Sequence, residues 1–291
     1  PLPVEQASLL LARLQVAGKG ESVGVISRFL GDERLCEPAA QALVAIRDGA
    51  DAPLLSALPG ATRNCRITII KSLGDIRSRS AVEPLLKEAK SENSGVRLAA
   101  FYALANIGDS RAVQILTQAA MNGPAAEKDE CTWNYLLFAR RQAEAGDTAK
   151  AISMSKDLYA GRTSGAENHF RAAALQIMVQ TMKDGAMSEL VGAMADPSKQ
   201  LRTAALDLVA AIVTFFAVQI SAMPADRDHP YGHGKVENIS ALFETALLLV
   251  TCGWIIYEAT QRLLTHRIEI QVNVWSYLVM ITSVIVDVSR S

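Results

Sequence analysis

The stretch S-L-G-D-I-R-S-R-S-A-V-E-P-L-L-K-E-A, residues 72–89, decides the fold of most of this chain. It carries the end of one apolar helix, a short polar turn, and the start of a second apolar helix. Stretches 42–58 and 103–119 repeat the pattern, and the aligned Leu73 and Leu104 are 31 residues apart. A unit of this length cannot bury its own apolar face, so copies must stack on one another. The sequence therefore predicts a solenoid of antiparallel helix pairs.

A positively charged residue near the start of the second helix of each pair is a further mark of the repeat. Together with the turn and the period, this pattern resembles the HEAT-repeat family over roughly residues 20–205. The resemblance implies a curved surface that binds a protein partner, whose identity a single sequence does not reveal. The arginines at these helix starts are Arg66, Arg97, Arg171 and Arg202.

The repeat is interrupted between residues 122 and 165, where a tetratricopeptide-like helix pair is expected near 130–162. We expect Trp133, Tyr135 and Phe138 to pack in the core of that pair, because aromatic residues at this spacing do not form one exposed helical face. The solenoid lacks the common nucleophile, phosphate-loop and zinc-protease motifs, and its one histidine, His169, is expected at the surface or as a cap. We therefore predict that the protein is not an enzyme.

Composition supports an all-α fold class. Half of the 291 residues are hydrophobic and only 5% are aromatic, which is typical of helices rich in small and aliphatic side chains. A net charge of -1 argues against a nucleic-acid partner. The beginning of the chain does not have the pattern of a signal peptide. No two cysteines form a C-x-x-C pair, so we expect all of them to be reduced and structural; they are Cys36, Cys65, Cys131 and Cys252.

The last part of the chain is apolar in long runs, such as 208–223, which contains no charged residue. Three such runs separated by short polar loops predict membrane helices and hence a lipid bilayer as partner. We place these three transmembrane helices at about 207–223, 239–263 and 272–288. The domain boundaries are then 1–205 for the solenoid and 206–291 for the membrane module.

A polar loop, D-R-D-H-P-Y-G-H-G-K at residues 226–235, lies between the first two apolar runs. With its flanking spans it resembles the cation diffusion facilitator (cation efflux) family, from the second to the fourth transmembrane helix. The resemblance implies a divalent cation, most often zinc, exchanged for protons, a cell (inner) membrane location and a homodimer. If the loop is cytoplasmic, as the family implies, the solenoid lies outside the cytoplasm, although no secretion signal is visible. The side of the membrane on which the solenoid lies therefore stays open.

The loop also has the chemistry of a metal site. Asp226, His229 and His233 supply one carboxylate and two imidazoles, a ligand set that suits zinc. The alternative is that these three side chains are exposed, exchange protons with water and bind no metal. The resemblance also implies an intramembrane site, to which Asp207 would contribute; Thr203 stands where the family has Asp or His. One carboxylate alone does not hold zinc against water, so we expect no transport by this chain alone.

Two functions remain open. The first is a partial cation efflux module that carries a protein-interaction solenoid. The second is a HEAT-type interaction scaffold without a transport role. Because the repeat pattern passes into the transporter pattern near residues 205–207 without a linker, we also hypothesise a chimeric or truncated sequence.

Overall fold

The computed structural model describes residues 3–221 and eleven helical positions further along the chain. Within these residues all regular structure is helical, which confirms the all-α prediction for the described part of the chain. The eleven later positions are Leu242, Thr245, Ala246, Leu249, Val250, Cys252, Gly253, Ile256, Tyr257, Thr260 and Gln261.

The described chain forms α-helices joined by short turns and 3-10 segments. In chain order the helices are α1 (Val4–Ala17), α2 (Val23–Ile26), α3 (Cys36–Ile46), α4 (Asp51–Ala57), α5 (Arg63–Asp75), α6 (Val82–Glu88), α7 (Ser94–Ile107), α8 (Val113–Asn122), α9 (Lys128–Glu144), α10 (Thr148–Gly161), α11 (Asn168–Met182), α12 (Met187–Met194) and α13 (Lys199–Ser221).

Alternate helices stack on one another. The helices α3, α5, α7, α9 and α11 each contact the next of the series, while α4, α6, α8 and α10 each pack against the helix that follows. The repeated leucines Leu43, Leu73 and Leu104 are fully buried, because they lie at the same place in successive units. The structure is consistent with the predicted HEAT-like stack of helix pairs, and α9 packs against α10. The tetratricopeptide-like character expected for the pair near 130–162 stays a prediction.

Helices α5 and α7 approach each other closely at Gly74. A Cβ atom at this position would lie 2.6 Å from the Cα and 2.9 Å from the Cβ of Ala103. Asn106 lies in the same contact and donates from Nδ2 to the Gly74 carbonyl oxygen at 3.1 Å. The absence of a side chain at residue 74 therefore sets the distance between these two helices.

The arginine near the start of each second helix has a structural role. Arg97 donates through Nη1 to the carbonyl oxygens of Ser91 (2.5 Å) and Glu92 (3.3 Å), in the turn between α6 and α7. Its Nε donates to Glu127 Oε2 at 3.1 Å, in the turn before α9. The side chain thus bonds carbonyl oxygens of the turn that precedes its own helix, a contact called the arginine cap below, and it joins its own unit to the next.

The same cap recurs at the last described unit. Arg202 donates to the carbonyl oxygens of Asp196 and Pro197, each at 2.8 Å. Arg66 bonds equivalent oxygens of Leu58 and Pro59, at 3.5 and 3.0 Å. This contact is shared by Arg66, Arg97 and Arg202, whereas the fourth spaced arginine, Arg171, donates to the side chains of Asn168 and Asp196 instead.

A buried arginine joins the pair α9–α10 to its neighbours. The side chain of Arg162 is 6% exposed, and it donates to Glu167 Oε1 at 2.8 Å. It also donates to the Ala120 carbonyl oxygen at 2.6 Å and to Thr132 Oγ1 at 3.0 Å. Lys128 lies 3.1 Å from the same carboxylate of Glu167, so that acid has two cationic partners.

The prediction that all cysteines are reduced is wrong for two of them. Cys36 and Cys65 form a disulfide, whereas Cys131 and Cys252 are free. A C-x-x-C pattern does not detect this bond, because its two cysteines are 29 residues apart. This separation is close to the length of one repeat, so the cysteines meet only when successive units stack. Since both sulfurs are in the bridge, the 4.0 Å approach of Cys65 Sγ to the Asp32 carbonyl oxygen is a contact and not a hydrogen bond.

The chain divides into two compact units, Pro1–Val209 and Ala210–Ser291, whereas the sequence placed the boundary at 205/206. Among the described residues, no helix combines the length and the apolar character needed to cross a membrane. The predicted spans at 239–263 and 272–288 lie largely or wholly outside the described residues and stay predictions. The predicted span at 207–223 lies mostly on the described α13, and the structure does not confirm it.

Candidate functional site

The predicted metal loop lies outside the described residues. Asp226, His229 and His233 all belong to it, so their assignment as zinc ligands stays a prediction. Within the described part of the chain, no three His, Cys, Asp or Glu side chains come together as a metal site would require.

The other predicted metal residue, Asp207, is described and lies on α13. Its side chain is exposed and lines an open groove of about 650 Å³ between α11 and α13. The other lining residues are His169 and Ala172 of α11, and Lys199, Gln200, Thr203 and Ala204 of α13.

Polar contacts at the start of the two helices fix the groove. Asn168 donates from Nδ2 to Ser198 Oγ at 2.8 Å. Arg171 donates to Asp196 Oδ2 at 2.9 Å, and its guanidinium lies 4.7 Å from the centre of the Tyr159 ring. The turn that precedes α13 is therefore bonded to the first turns of α11.

Asp196 is the charged centre of this turn. Burial works to raise its pKa, but the backbone N–H of Ser198 and the guanidinium of Arg171 outweigh burial and lower the pKa. The ion pair has side chains only 16% and 15% exposed, so Asp196 stays ionised and keeps the two helices joined at neutral pH.

The groove itself offers few metal donors. Asp207 and His169 bring one carboxylate and one imidazole, and Thr203 lies one turn before Asp207 on the same helix. Structural zinc takes four protein ligands, and catalytic zinc takes three with a water molecule. The described residues around Asp207 therefore supply fewer ligands than a zinc site requires.

An exposed aromatic side chain lies beside the groove. Trp133 is 46% exposed, and its ring centre lies 5.8 Å from that of His169 and 5.1 Å from that of Phe170. The prediction that Trp133 packs in the core is therefore wrong, whereas Tyr135 and Phe138 are buried as expected. His169 is half-buried and contacts these rings, close to the surface position predicted for it.

The sequence does contain the signal that separates Trp133 from its neighbours. The eight buried residues of α9 include Cys131, Tyr135, Phe138 and Gln142, which follow one another at steps of four, three and four residues. Such steps mark one face of a helix, and Trp133 lies off that face. A helical-face reading of α9 places it outside the core.

Cys131 is the one buried free thiol among the described residues. Burial, followed by the charges of Glu127 and Glu130, raises its pKa to about 11. The thiol is thus protonated at neutral pH and is a poor nucleophile.

The stacked helix pairs and their recurrent arginine caps define the described part of the chain as a helical-repeat solenoid with a groove between its last helices. Comparison with known families agrees with both resemblances. The HEAT repeats family matches residues 52–133, and the cation efflux transmembrane domain family matches residues 202–290. The chain therefore contains a region similar to HEAT repeats, followed by a region similar to the cation efflux transmembrane domain.

Several curated proteins share the cation efflux similarity. An uncharacterized transporter of Synechocystis is 37% identical over 95 residues, which are 33% of this chain and 29% of that protein. The magnetosome protein MamM of Magnetospirillum gryphiswaldense is 36% identical over 78 residues, 26% of this chain and 24% of MamM. The manganese efflux system protein MneP of Bacillus subtilis is 42% identical over 55 residues, 19% of this chain and 18% of MneP. The chain thus spans less than a third of each of these relatives.

Proposed function

We propose that this chain is a membrane protein in which a partial divalent-cation efflux module carries a protein-interaction solenoid. The single observation that supports it best is the match of residues 202–290 to the cation efflux transmembrane domain, next to a separate HEAT match. The cargo is a divalent cation, with zinc as the preferred metal, and the membrane is the cell (inner) membrane. The relatives named above include a manganese efflux protein, so manganese is the main competing metal.

The loop at 226–235 is the proposed cation site of this module. Asp226, His229 and His233 combine a carboxylate with two imidazoles, which deprotonated bind a first-row metal and protonated release it. Asp207 is a remnant of the transport site. Thr203 stands where a second ligand beside Asp207 would be needed, so the transport site has too few ligands. The chain therefore binds a cation in the loop but does not transport it alone.

Calorimetric titration of the full chain in detergent with zinc tests the loop site. We expect binding in the unchanged chain and its loss in the double variant His229→Ala, His233→Ala. His169→Ala is the matched control, because it removes an imidazole from the solenoid groove and leaves the loop unchanged. Equal zinc binding by the double variant and the control would remove the loop site.

Transport is tested separately in sealed vesicles that contain the full chain. We expect vesicles that contain the chain to show no more proton-coupled zinc flux than vesicles without protein. Flux that depends on Asp207, measured with Asp207→Asn, would contradict the proposal that the chain is not competent by itself.

The second candidate function is an interaction scaffold without a role in cation handling. The exposed Trp133 beside the groove favours it, since exposed tryptophans are common anchors of protein interfaces. A chain that binds neither zinc nor manganese, and whose partner binding is lost in Trp133→Ala, would support the scaffold over the efflux module.

We also propose that the two regions were joined by a chimeric event. The support is that the cation efflux match begins at residue 202, inside α13, with no linker between the regions. Long-read sequencing of the source locus tests the idea. One uninterrupted gene across codons 195–215 would contradict it.

A further inference from the structure

The disulfide between Cys36 and Cys65 is a feature that neither family match explains. Cys36 is the first residue of α3, and Cys65 lies in the first turn of α5. Their Cα atoms are 5.8 Å apart, within the range that a disulfide bridges without movement of the backbone. The two side chains are only 3% and 1% exposed.

The position of the bond follows from the repeat. Helices α3 and α5 are successive members of the same stack, and both cysteines lie at the starts of their helices. At the corresponding end of later units the joins are polar: Arg97 bonds to Glu127, and Asn168 bonds to Ser198. The disulfide is thus a covalent join at a place where other units are held by hydrogen bonds.

The other cysteines leave this pairing unambiguous. Cys131 is buried in α9 and free, and Cys252 is exposed and free. Because the Cys36–Cys65 bond is internal to the stack, it closes a loop of 29 residues that contains α4. A bond of this kind constrains the unfolded chain and is typical of structural disulfides.

The compartment decides whether such a bond persists. In the cytosol, glutathione and thioredoxin systems keep protein thiols reduced, whereas the bacterial periplasm, the secretory lumen and the cell exterior maintain disulfides. We infer that the solenoid of this protein resides in an oxidising compartment, on the side of the membrane away from the cytosol. This inference does not depend on cation binding or transport.

Formation of the bond needs an oxidant, which we assign to the class of disulfide-bearing proteins or small molecules of that compartment. Two thiols of the chain give up two protons and two electrons as the sulfur–sulfur bond forms. The disulfide of the oxidant is cleaved and takes up the electrons and protons, becoming two thiols.

Sequential thiol labelling of the full chain in its native cells tests the state of the bond. Cells are quenched in acid, free thiols are blocked with N-ethylmaleimide under denaturing conditions, and disulfides are then reduced. A polyethylene-glycol maleimide next marks each released thiol by a shift on a gel. We expect two shifts per chain, their loss in Cys36→Ser and in Cys65→Ser, and their retention in the control Cys131→Ser. Absence of shifts in the unchanged chain, or their retention in Cys36→Ser, would overturn the inference.

A second measurement tests the compartment itself. Ser110 is exposed in the turn between α7 and α8, so Ser110→Cys introduces an accessible thiol far from the disulfide in sequence. We expect a membrane-impermeant maleimide to label this variant in intact spheroplasts. Labelling only after lysis would place the solenoid in the cytosol and contradict the inference, even with the disulfide formed.

Discussion

Substitution of Gly74 by alanine gives a direct test of the packing between α5 and α7. The new methyl group would lie 2.6 Å from the Cα of Ala103, whereas an ordinary contact is at about 3.4–4 Å, so the helices must separate by roughly 1 Å. Overpacking of this kind costs about 1–3 kcal/mol. The bond from Asn106 to the Gly74 carbonyl oxygen, worth about 1 kcal/mol, weakens as well. Alanine recovers about 1 kcal/mol of helix propensity, so we expect a net loss of about 1–3 kcal/mol.

The matched control is Gly192→Ala in α12. No atom lies within 4 Å of a Cβ built at Gly192, so only the propensity gain of about 0.5–1 kcal/mol remains. The two substitutions should therefore change stability in opposite directions.

Hydrogen exchange of the full chain in mild detergent measures both variants. Peptides from α5 and α7 should lose protection in Gly74→Ala, and peptides from α12 should gain it in Gly192→Ala. If Gly74→Ala leaves the protection of α5 and α7 unchanged or raises it, the close approach of these helices at residue 74 is refuted.

Three further predictions concern charged and titrating groups. Arg162→Met should destabilise the chain by about 2–4 kcal/mol, because it leaves a buried carbonyl oxygen unpaired. The exposed Arg111→Met should cost much less, and urea unfolding compares the two variants. The pKa of Glu189 is lowered from 4.5 to about 2 by hydrogen bonds from Lys156 and Ser188, so its small contribution to stability is present above pH 4.5 and is lost as the pH falls towards 2. Lys156→Ala should remove most of this acid dependence in a pH series of unfolding curves, and an unchanged dependence would contradict the pairing. The thiol of Cys131 should react with iodoacetamide at pH 8 only after unfolding, as followed by mass spectrometry, because burial raises its pKa to about 11; fast reaction of the native chain would contradict its burial.

The stacked helix pairs could be predicted from the sequence because their cause is local and repeated. Leu73 and Leu104 recur with the period of the unit, and both are fully buried in the same layer. The recurrence of the arginines could be seen in the sequence for the same reason, and the structure adds its cause: Arg97 and Arg202 bond to carbonyl oxygens six and five residues before them.

The errors concern a contact between distant residues and the choice of the buried face of one helix. The disulfide joins residues 29 positions apart, and only the stacking distance between α3 and α5 brings them together. The exposure of Trp133 depends on which face of α9 the neighbouring helices cover, whereas the spacing of the three aromatic residues predicted burial for all of them. The predicted cation loop has a strong pattern in the sequence, but its ligands lie outside the described residues.

The caps made by these arginines also bear on how such a protein changes length during evolution. Arg97 takes its carbonyl partners from the segment just before it, so a duplicated stretch of about one period would bring a complete cap with it. Loss of such a stretch would likewise remove donor and acceptors together. The array can therefore gain or lose whole units by recombination without leaving an unpaired arginine at the new junction.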